Sequence, residues 1–204
     1  MRPRIRQLLL DFDNVLAHYR REQRVACLAA HAGTSFAQVW QALYGSGLEA
    51  RYDAGRVSTA DYLRELGEGI GAAVDETAWL QARVAATTAD ERALARLLAL
   101  DPELPMAVLT NNGELAARVV LQVAAPLAPR LGGRVLCSGS LGGRKPEPQV
   151  YLRALERLGW SAADTLFIDD LFANVQGARR AGLHADSVRD ARALGRVLKR
   201  FGLA

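Results

Sequence analysis

Asp11 and Asp13 are separated by one residue, and they directly follow an apolar run at residues 8–10. A carboxylate that leaves water at the end of a buried strand needs a metal ion, a cationic side chain or several hydrogen-bond donors. Without such partners it takes up a proton instead, because burial penalises the charged form. We therefore expect the remainder of the chain to bring partners to these two acids.

Polar side chains also follow two later apolar segments, and a lysine lies in a loop just before a predicted helix. They are Thr110, Asn111 and Asn112 after the first segment, Asp169 and Asp170 after the second, and Lys145 in the loop. The carboxyl ends of parallel strands meet at one edge of a sheet, so these side chains should converge with Asp11 and Asp13. Several acids beside one cation and one hydroxyl predict a site for an oxygen-bound metal ion next to a site for an anion.

The pattern along the chain indicates the elements that would position these residues. After an apolar strand at 5–10, short strands are predicted at 106–109, 134–137, 165–168 and 184–188, and helices at 114–123, 148–158, 173–181 and 190–201. Alternating strands and helices imply a parallel sheet with helices on both faces. We therefore predict an α/β fold with a Rossmann-like, three-layer α/β/α core.

Residues 20–100 show helical periodicity and offer no good strand candidate. Breaks at 33–35, 45–47 and 67–71 divide this segment into short helices, one of which should begin near Thr59 with Ser58 as its cap. We expect residues 1–15 and 91–204 to form the catalytic core. Residues 16–90 should form a small all-helical cap that is inserted after the first strand.

Composition restricts the function classes further. Half of the 204 residues are apolar, which suffices for a substantial core, and no apolar run approaches the roughly 20 residues of a membrane span. The segment at 1–6 precedes too short an apolar stretch for a signal peptide, so we expect a cytoplasmic protein with no membrane partner. Cys27 and Cys137 lack disulfide or zinc spacing and are interpreted as buried thiols. The net charge of +4 comes from arginines interleaved with acids, which argues against nucleic acid as a partner.

Four ordered segments, at 11–15, 109–112, 144–146 and 167–174, resemble the motifs of the haloacid dehalogenase-like hydrolase superfamily. The resemblance covers the whole chain. The segments at 53–58 and 143–151 most resemble the branch with a small helical cap that includes phosphatases acting on glucose 1-phosphate.

The resemblance implies that Asp11 attacks phosphorus and forms an aspartyl-phosphate, while Asp13 acts as general acid and then as general base. It also implies a Mg²⁺ ion held by the Asp11 carboxylate, the Asp13 backbone carbonyl and Asp170. Dehalogenases of the superfamily lack the second carboxylate, so Asp13 favours phosphoryl chemistry. The chain carries Asn14 where glycine is usual, and asparagine tolerates a positive φ better than most residues.

The same resemblance implies that the Thr110 hydroxyl, the Asn111 amide and Lys145 bind the phosphoryl oxygens. Asp169 and Asn174 would lie behind them and orient Lys145 or a metal-bound water.

Two residues of the expected cap, His18 and Arg51, are candidate contacts to the substrate, although solvated side chains are the plainer interpretation of both. The function expected is a phosphatase acting on a small phosphate monoester, with sugar phosphates as the suggested class. A phosphomutase of the β-phosphoglucomutase type and a non-catalytic module with the same fold remain alternatives. We expect a monomer or a weak homodimer.

Overall fold

A computed structural model describes residues 4–204, so the first three residues, part of the expected charged N-terminus, lie outside the described residues. The strands are β1 (Gln7–Leu10), β2 (Ala17–Tyr19), β3 (Thr87–Ala89), β4 (Met106–Thr110), β5 (Val135–Cys137), β6 (Thr165–Asp169) and β7 (His184–Ser187). The α-helices are α1 (Arg21–Ala32), α2 (Phe36–Trp40), α3 (Leu48–Asp53), α4 (Thr59–Ile70), α5 (Glu76–Ala85), α6 (Glu91–Leu98), α7 (Ala116–Val123), α8 (Ala128–Leu131), α9 (Pro148–Leu158), α10 (Phe172–Arg180) and α11 (Ala191–Arg200).

Five strands form one parallel sheet in the order β5-β4-β1-β6-β7. Its central strand β1 carries three consecutive leucines that are fully buried. Leu8 and Leu10 belong to one hydrophobic cluster and Leu9 to a second, as the alternation of side chains along a strand requires. The sheet is therefore covered on both faces, which confirms the predicted α/β, Rossmann-like core.

The predicted elements of the core agree with the structure to within one or two residues at most of their ends. The largest differences are of two residues. β1 begins at Gln7 rather than at 5, and α7 begins at Ala116 rather than at 114 because a turn precedes it. The strands β4 and β6 each extend one residue further than predicted, so that Thr110 and Asp169 are the last residues of their strands.

Between β2 and β3 the chain forms α1 to α5 together with a π-helical turn at Gln41–Gly45. The prediction that residues 20–100 contain no strand is wrong. β3 pairs antiparallel with β2, and three residues are too few to show an alternating pattern. We propose that residues 16–90, which include both strands of this two-stranded base and are therefore not entirely helical, act as the cap.

Local capping explains where the helices of this segment begin and end. The Ser58 hydroxyl accepts a hydrogen bond from the amide of Asp61, so α4 begins at Thr59 as predicted. The expected break at 67–71 is wrong for its first residues, because α4 continues to Ile70 and ends where Gly71 adopts a φ of 77°. Cys137 is buried as expected, whereas Cys27 is only partly buried.

Within residues 4–204, no helix has both the length and the apolar character needed to cross a membrane.

Candidate active site

A cavity of about 500 Å³ opens at the carboxyl edge of the parallel sheet, between the core and the helices of residues 16–90. β1, β4 and β6 end side by side at this edge, so the residues that follow or close them meet there. The predicted site residues that line the cavity are Asp11, Asp13, Thr110, Asn111, Lys145, Asp170 and Asn174. Asp169 lies beneath them and is fully buried.

Lys145 connects the ends of all three strands. Its ammonium group lies 2.8 Å from Asp11 Oδ1 and 2.8 Å from Asp169 Oδ2, and it donates to the Leu109 carbonyl at 2.9 Å. Burial lowers the pKa of Lys145, but the attraction of the two carboxylates outweighs burial and raises the pKa above its ordinary value. The lysine is therefore a fixed positive charge at the base of the cavity.

The loop that carries Lys145 is fastened to the end of β4 by Asn111. The backbone amide of Lys145 donates to Asn111 Oδ1 at 2.9 Å, and Asn111 Nδ2 donates to the Lys145 carbonyl at 2.9 Å. Thr110 Oγ1 accepts from Asn112 Nδ2 at 2.7 Å. These contacts leave the Asn111 backbone amide and the Thr110 hydroxyl hydrogen near Lys145 as donors for an anion.

Three carboxylates could hold a metal ion, since Asp11, Asp169 and Asp170 each offer an oxygen within 4.8 Å of the others. Asp169 is already saturated, because Leu171 N and Asn174 Nδ2 donate to Oδ1 while Lys145 and Asn174 donate to Oδ2. Among the hydrogen bonds of residues 4–204, none falls on Asp11 Oδ2 or Asp170 Oδ1. These two oxygens are therefore the ones suited to a hard divalent cation.

The pKa values in this group agree with a site built for a cation. Burial raises the pKa of Asp11 well above its ordinary range, against the opposing attraction of Lys145. Burial also raises the pKa of Asp170. A divalent cation beside both carboxyl groups would favour their ionised forms, so the donor set fits Mg²⁺.

Asn14 takes the conformation expected of a glycine substitute. Its φ is 63°, which confirms the expectation that asparagine can adopt this turn, and its side-chain amide donates to Asp170 Oδ2 at 3.0 Å. The side chain that glycine would lack thus orients one of the candidate metal ligands.

Arg83 is a residue of the site that the sequence analysis missed. It lies in α5, is only 1% exposed, and its Nη2 lies 2.9 Å from both carboxylate oxygens of Asp13. Its Nη1 donates to Thr87 Oγ1 at 2.7 Å, and its guanidinium stacks 3.4 Å from the ring centroid of Tyr19. The signal available in the sequence is that Arg83 follows Trp79 by four residues, which places it on the apolar face of its helix.

The structure does not bring His18 or Arg51 to the cavity. His18 lies 3.7 Å from Asp90, its side chain is 57% exposed, and Arg51 pairs with Glu65 on the surface of α3 and α4. The cavity wall formed by residues 16–90 consists instead of residues that the sequence analysis did not select. They are Tyr19, Arg21, Glu22, Tyr44, Glu49 and Asp53.

Several curated proteins share local sequence with this chain. The protein named Phosphatase MT3486 from Mycobacterium tuberculosis is 40% identical over 111 residues, which are 48% of this chain and 50% of that protein. A phosphoglycolate phosphatase from Xylella fastidiosa is 35% identical over 81 residues, 37% of this chain and 32% of that protein. The matched regions therefore span only a third to a half of these relatives.

A solved structure extends the comparison to nearly the whole chain. A haloacid dehalogenase family enzyme from Bacteroides thetaiotaomicron superposes with a TM-score of 0.77 over 96% of this chain and 98% of its own, at 19% identity. The same enzyme in complex with magnesium and inorganic phosphate superposes with a TM-score of 0.72 over 90% and 93%, at 21% identity. At such identities the likeness establishes the fold.

The family is established by a match along most of the sequence. The family model described as haloacid dehalogenase-like hydrolase matches residues 5–182, a range that contains every residue of the cavity described above. The chain belongs to the haloacid dehalogenase-like hydrolases.

Proposed function

We propose that this hydrolase is a Mg²⁺-dependent phosphatase that acts on a small phosphate monoester through an aspartyl-phosphate on Asp11. The observation that carries the proposal is the arrangement around Asp11, which has Lys145 at 2.8 Å and Asp170 within reach of a shared cation. A phosphoryl group has negative charge on its three equatorial oxygens, and this edge of the sheet offers cationic and hydrogen-bond-donating groups to receive it.

In the proposed first step, a carboxylate oxygen of Asp11 attacks phosphorus, and the bond between phosphorus and the ester oxygen breaks. Asp13 donates a proton to that oxygen, which leaves as an alcohol. In the second step a water oxygen attacks phosphorus, Asp13 takes the proton of that water, and the bond to Asp11 breaks to release phosphate. Asp13 thereby returns to its starting state.

Three groups of this chain would hold the ion in our proposal, namely the Asp11 carboxylate, the Asp13 backbone carbonyl and Asp170. Mg²⁺, when bound, supplies positive charge that reduces the repulsion between the substrate and the carboxylates. Lys145, the Thr110 hydroxyl and the Asn111 amide bind the phosphoryl oxygens. Asp169 holds Lys145 in position by accepting a hydrogen bond from its ammonium group, and Asn174 holds Asp169 by donating to its carboxylate.

The size of the cavity supports a small substrate, because about 500 Å³ is the volume of a site for a metabolite. The polar wall formed by residues 16–90 suits a sugar phosphate. Segment 16–90 would cover this edge of the sheet, exclude water and restrict entry to small molecules.

The proposal is tested by measuring phosphate release from p-nitrophenyl phosphate and from a panel of sugar phosphates, with and without Mg²⁺. We expect turnover that requires Mg²⁺ and that Asp11→Asn abolishes. Glu103→Gln makes the same chemical change in an exposed acid and should retain full activity. Turnover that persists in Asp11→Asn would refute the proposed nucleophile, and an isomeric product without free phosphate would indicate a phosphomutase.

A further inference from the structure

The part of the cavity wall formed by residues 16–90 contains a carboxylate that is held in place by buried groups. Glu49 lies in the first turn of α3, lines the cavity, and has a side chain that is only 14% exposed. Arg24 pairs with both of its oxygens, with Nη2 donating to Oε2 at 3.3 Å, and Tyr62 Oη donates to Oε2 at 2.6 Å. A carboxylate fixed from behind in this way loses little conformational freedom when it binds a ligand.

The groups behind Glu49 are themselves fixed by packing. Arg24 is 1% exposed and its guanidinium lies 5.0 Å from the ring centroid of Trp79. Trp79 Nε1 donates to Tyr62 Oη at 3.0 Å, and the Tyr62 ring stacks on Tyr52 at 4.1 Å. The network that holds Glu49 therefore joins α1, α3, α4 and α5. It reaches the cavity through the Glu49 carboxylate and through Tyr19, whose hydroxyl accepts from Arg24 Nη1 at 3.3 Å.

Glu49 is the anionic end of this network. Burial raises the pKa of the Glu49 carboxyl, but Arg24 and its hydrogen bonds outweigh burial, so the pKa lies below its ordinary value. Each carboxylate oxygen can accept two hydrogen bonds. Within residues 4–204, Oε1 accepts one, from Arg24, so it can accept another from a molecule in the cavity.

From this geometry we propose that Glu49 forms a specificity subsite for the leaving group of the substrate. The subsite selects leaving groups that carry hydroxyl or ammonium donors, and it rejects those that carry a carboxylate. The inference rests on the proposed phosphatase function, because it assigns the end of the cavity that the phosphoryl group does not occupy.

Apart from Glu49 and the proposed catalytic, phosphate-binding and metal-binding groups, the charged residues that line the cavity are of both signs. They are the acids Glu22 and Asp53 and the cations Arg21 and Arg144, so the selectivity assigned to this wall rests on Glu49. Asp53 adds a second acid, and Tyr19 and Tyr44 share a hydrogen bond of 3.0 Å between their hydroxyls. Arg21 also lines the cavity, but it is exposed and lies over the ring of Tyr44 at 5.4 Å, so water screens its charge. A carboxylate placed beside Glu49 would offer no hydrogen-bond donor to Oε1 and would face a negative charge that Arg24 reduces, whereas a donor would complete the hydrogen bonding of Oε1.

The test compares kcat/KM for four substrates of the full chain in the presence of Mg²⁺. Glycerol phosphate carries hydroxyls, phosphoethanolamine an ammonium group, phosphoglycolate a carboxylate, and p-nitrophenyl phosphate none of these. We expect the wild-type protein to prefer glycerol phosphate or phosphoethanolamine over phosphoglycolate by at least about tenfold, since sites that pair with donors discriminate strongly.

In Glu49→Gln we expect kcat/KM for the preferred substrate to fall about tenfold and that for phosphoglycolate to rise, so that the preference collapses. Turnover of p-nitrophenyl phosphate, which carries neither kind of group, is the reference to which the kcat/KM values of each variant are normalised. Glu65→Gln is the matched control, because Glu65 is also paired with an arginine but does not line the cavity.

The outcomes separate this inference from the proposed function. A protein that hydrolyses p-nitrophenyl phosphate but prefers phosphoglycolate, or whose preference is unchanged in Glu49→Gln, refutes the subsite alone. Failure to hydrolyse any of the four substrates overturns the proposed function and the subsite with it. If circular dichroism shows that Glu49→Gln is unfolded, the wild-type preference decides the question by itself.

Discussion

The ion pair between Arg83 and Asp13 should stabilise the fold by an amount that depends on how deeply the two side chains are buried. Arg83→Met removes the guanidinium and leaves Asp13 without its cation, while the loss of packing volume is small. Breaking a fully buried pair costs about 3–5 kcal/mol, whereas an exposed pair is worth about 0–1 kcal/mol. Because Arg83 is buried and the Asp13 side chain is 26% exposed, we expect an intermediate loss of about 2 kcal/mol in the free energy of unfolding.

For a chain of 204 residues this loss corresponds to a decrease in Tm of about 4–8 °C. Thermal unfolding followed by circular dichroism without Mg²⁺ measures it. Arg118→Met is the control, since the ion pair of Arg118 with Glu76 joins two side chains that are both more than half exposed. That variant should shift Tm by no more than about 2–4 °C. Equal shifts in the two variants would refute the importance assigned to burial.

Arg83→Met should also impair activity selectively, because it removes the group that fixes the position of Asp13. An alkyl phosphate needs a proton on its leaving oxygen, whereas p-nitrophenolate leaves well without one. We expect kcat/KM to fall about 10–100-fold for glycerol phosphate and less than about threefold for p-nitrophenyl phosphate. The same decrease for both substrates would mean that Arg83 supports the structure but does not position Asp13.

Three further predictions concern other parts of the site. Burial raises the pKa of Asp53 from 3.8 to about 7, so between pH 4 and 7 the folded chain binds a proton that the unfolded chain does not. The free energy of unfolding should therefore fall by up to about 1.4 kcal/mol for each unit by which the pH rises across that window. Chemical denaturation of Asp53→Asn should not show this dependence on pH. Mg²⁺ should raise the Tm of the wild type, and less so that of Asp170→Asn. Gly177→Ala should destabilise the protein by about 1–3 kcal/mol, because its Cβ would lie 2.2 Å from the Pro146 carbonyl oxygen.

Each of these has an outcome that would contradict it. Parallel pH profiles for the wild type and Asp53→Asn would show that this carboxyl does not titrate with folding. An equal Mg²⁺ effect in both proteins would exclude Asp170 as a ligand. The control for α10 is Gly195→Ala in α11, where the new methyl group meets the end of a flexible arginine and helix propensity should dominate. If both alanine variants changed the free energy of unfolding by the same amount, the close approach of Gly177 to Pro146 would not contribute to stability.

The core of the fold could be predicted from the sequence because its signals are local. Residues 8–10 form a continuous apolar run, which is typical of a strand buried on both faces, and the acid that follows it lies at the sheet edge for the same reason. The positions of Asp11, Thr110 and Asp170 in the cavity therefore follow from strand ends alone.

The wall formed by residues 16–90 could not be predicted, because it depends on contacts between distant elements. Glu49 and Tyr44 reach the cavity only through the packing of several short helices, and nothing in their neighbourhood in sequence distinguishes them from solvated residues. His18 and Arg51 were selected from the same segment and lie elsewhere. The strand β3 was missed because its three residues acquire their conformation by pairing with β2, about 70 residues away.

Arg83 shows how the two parts of the site depend on each other. Its helix α5 belongs to segment 16–90, its partner Asp13 follows β1, and Thr87 beside it begins β3 at the base of that segment. A movement of α5 relative to the sheet would therefore displace the group that holds Asp13. In the proposed mechanism, the binding of the phosphoryl group depends on strand ends, which the packed core fixes. Proton transfer to the leaving group would depend in addition on where residues 16–90 lie, so the proposed chemistry and the proposed selection of the leaving group would be linked through one buried arginine.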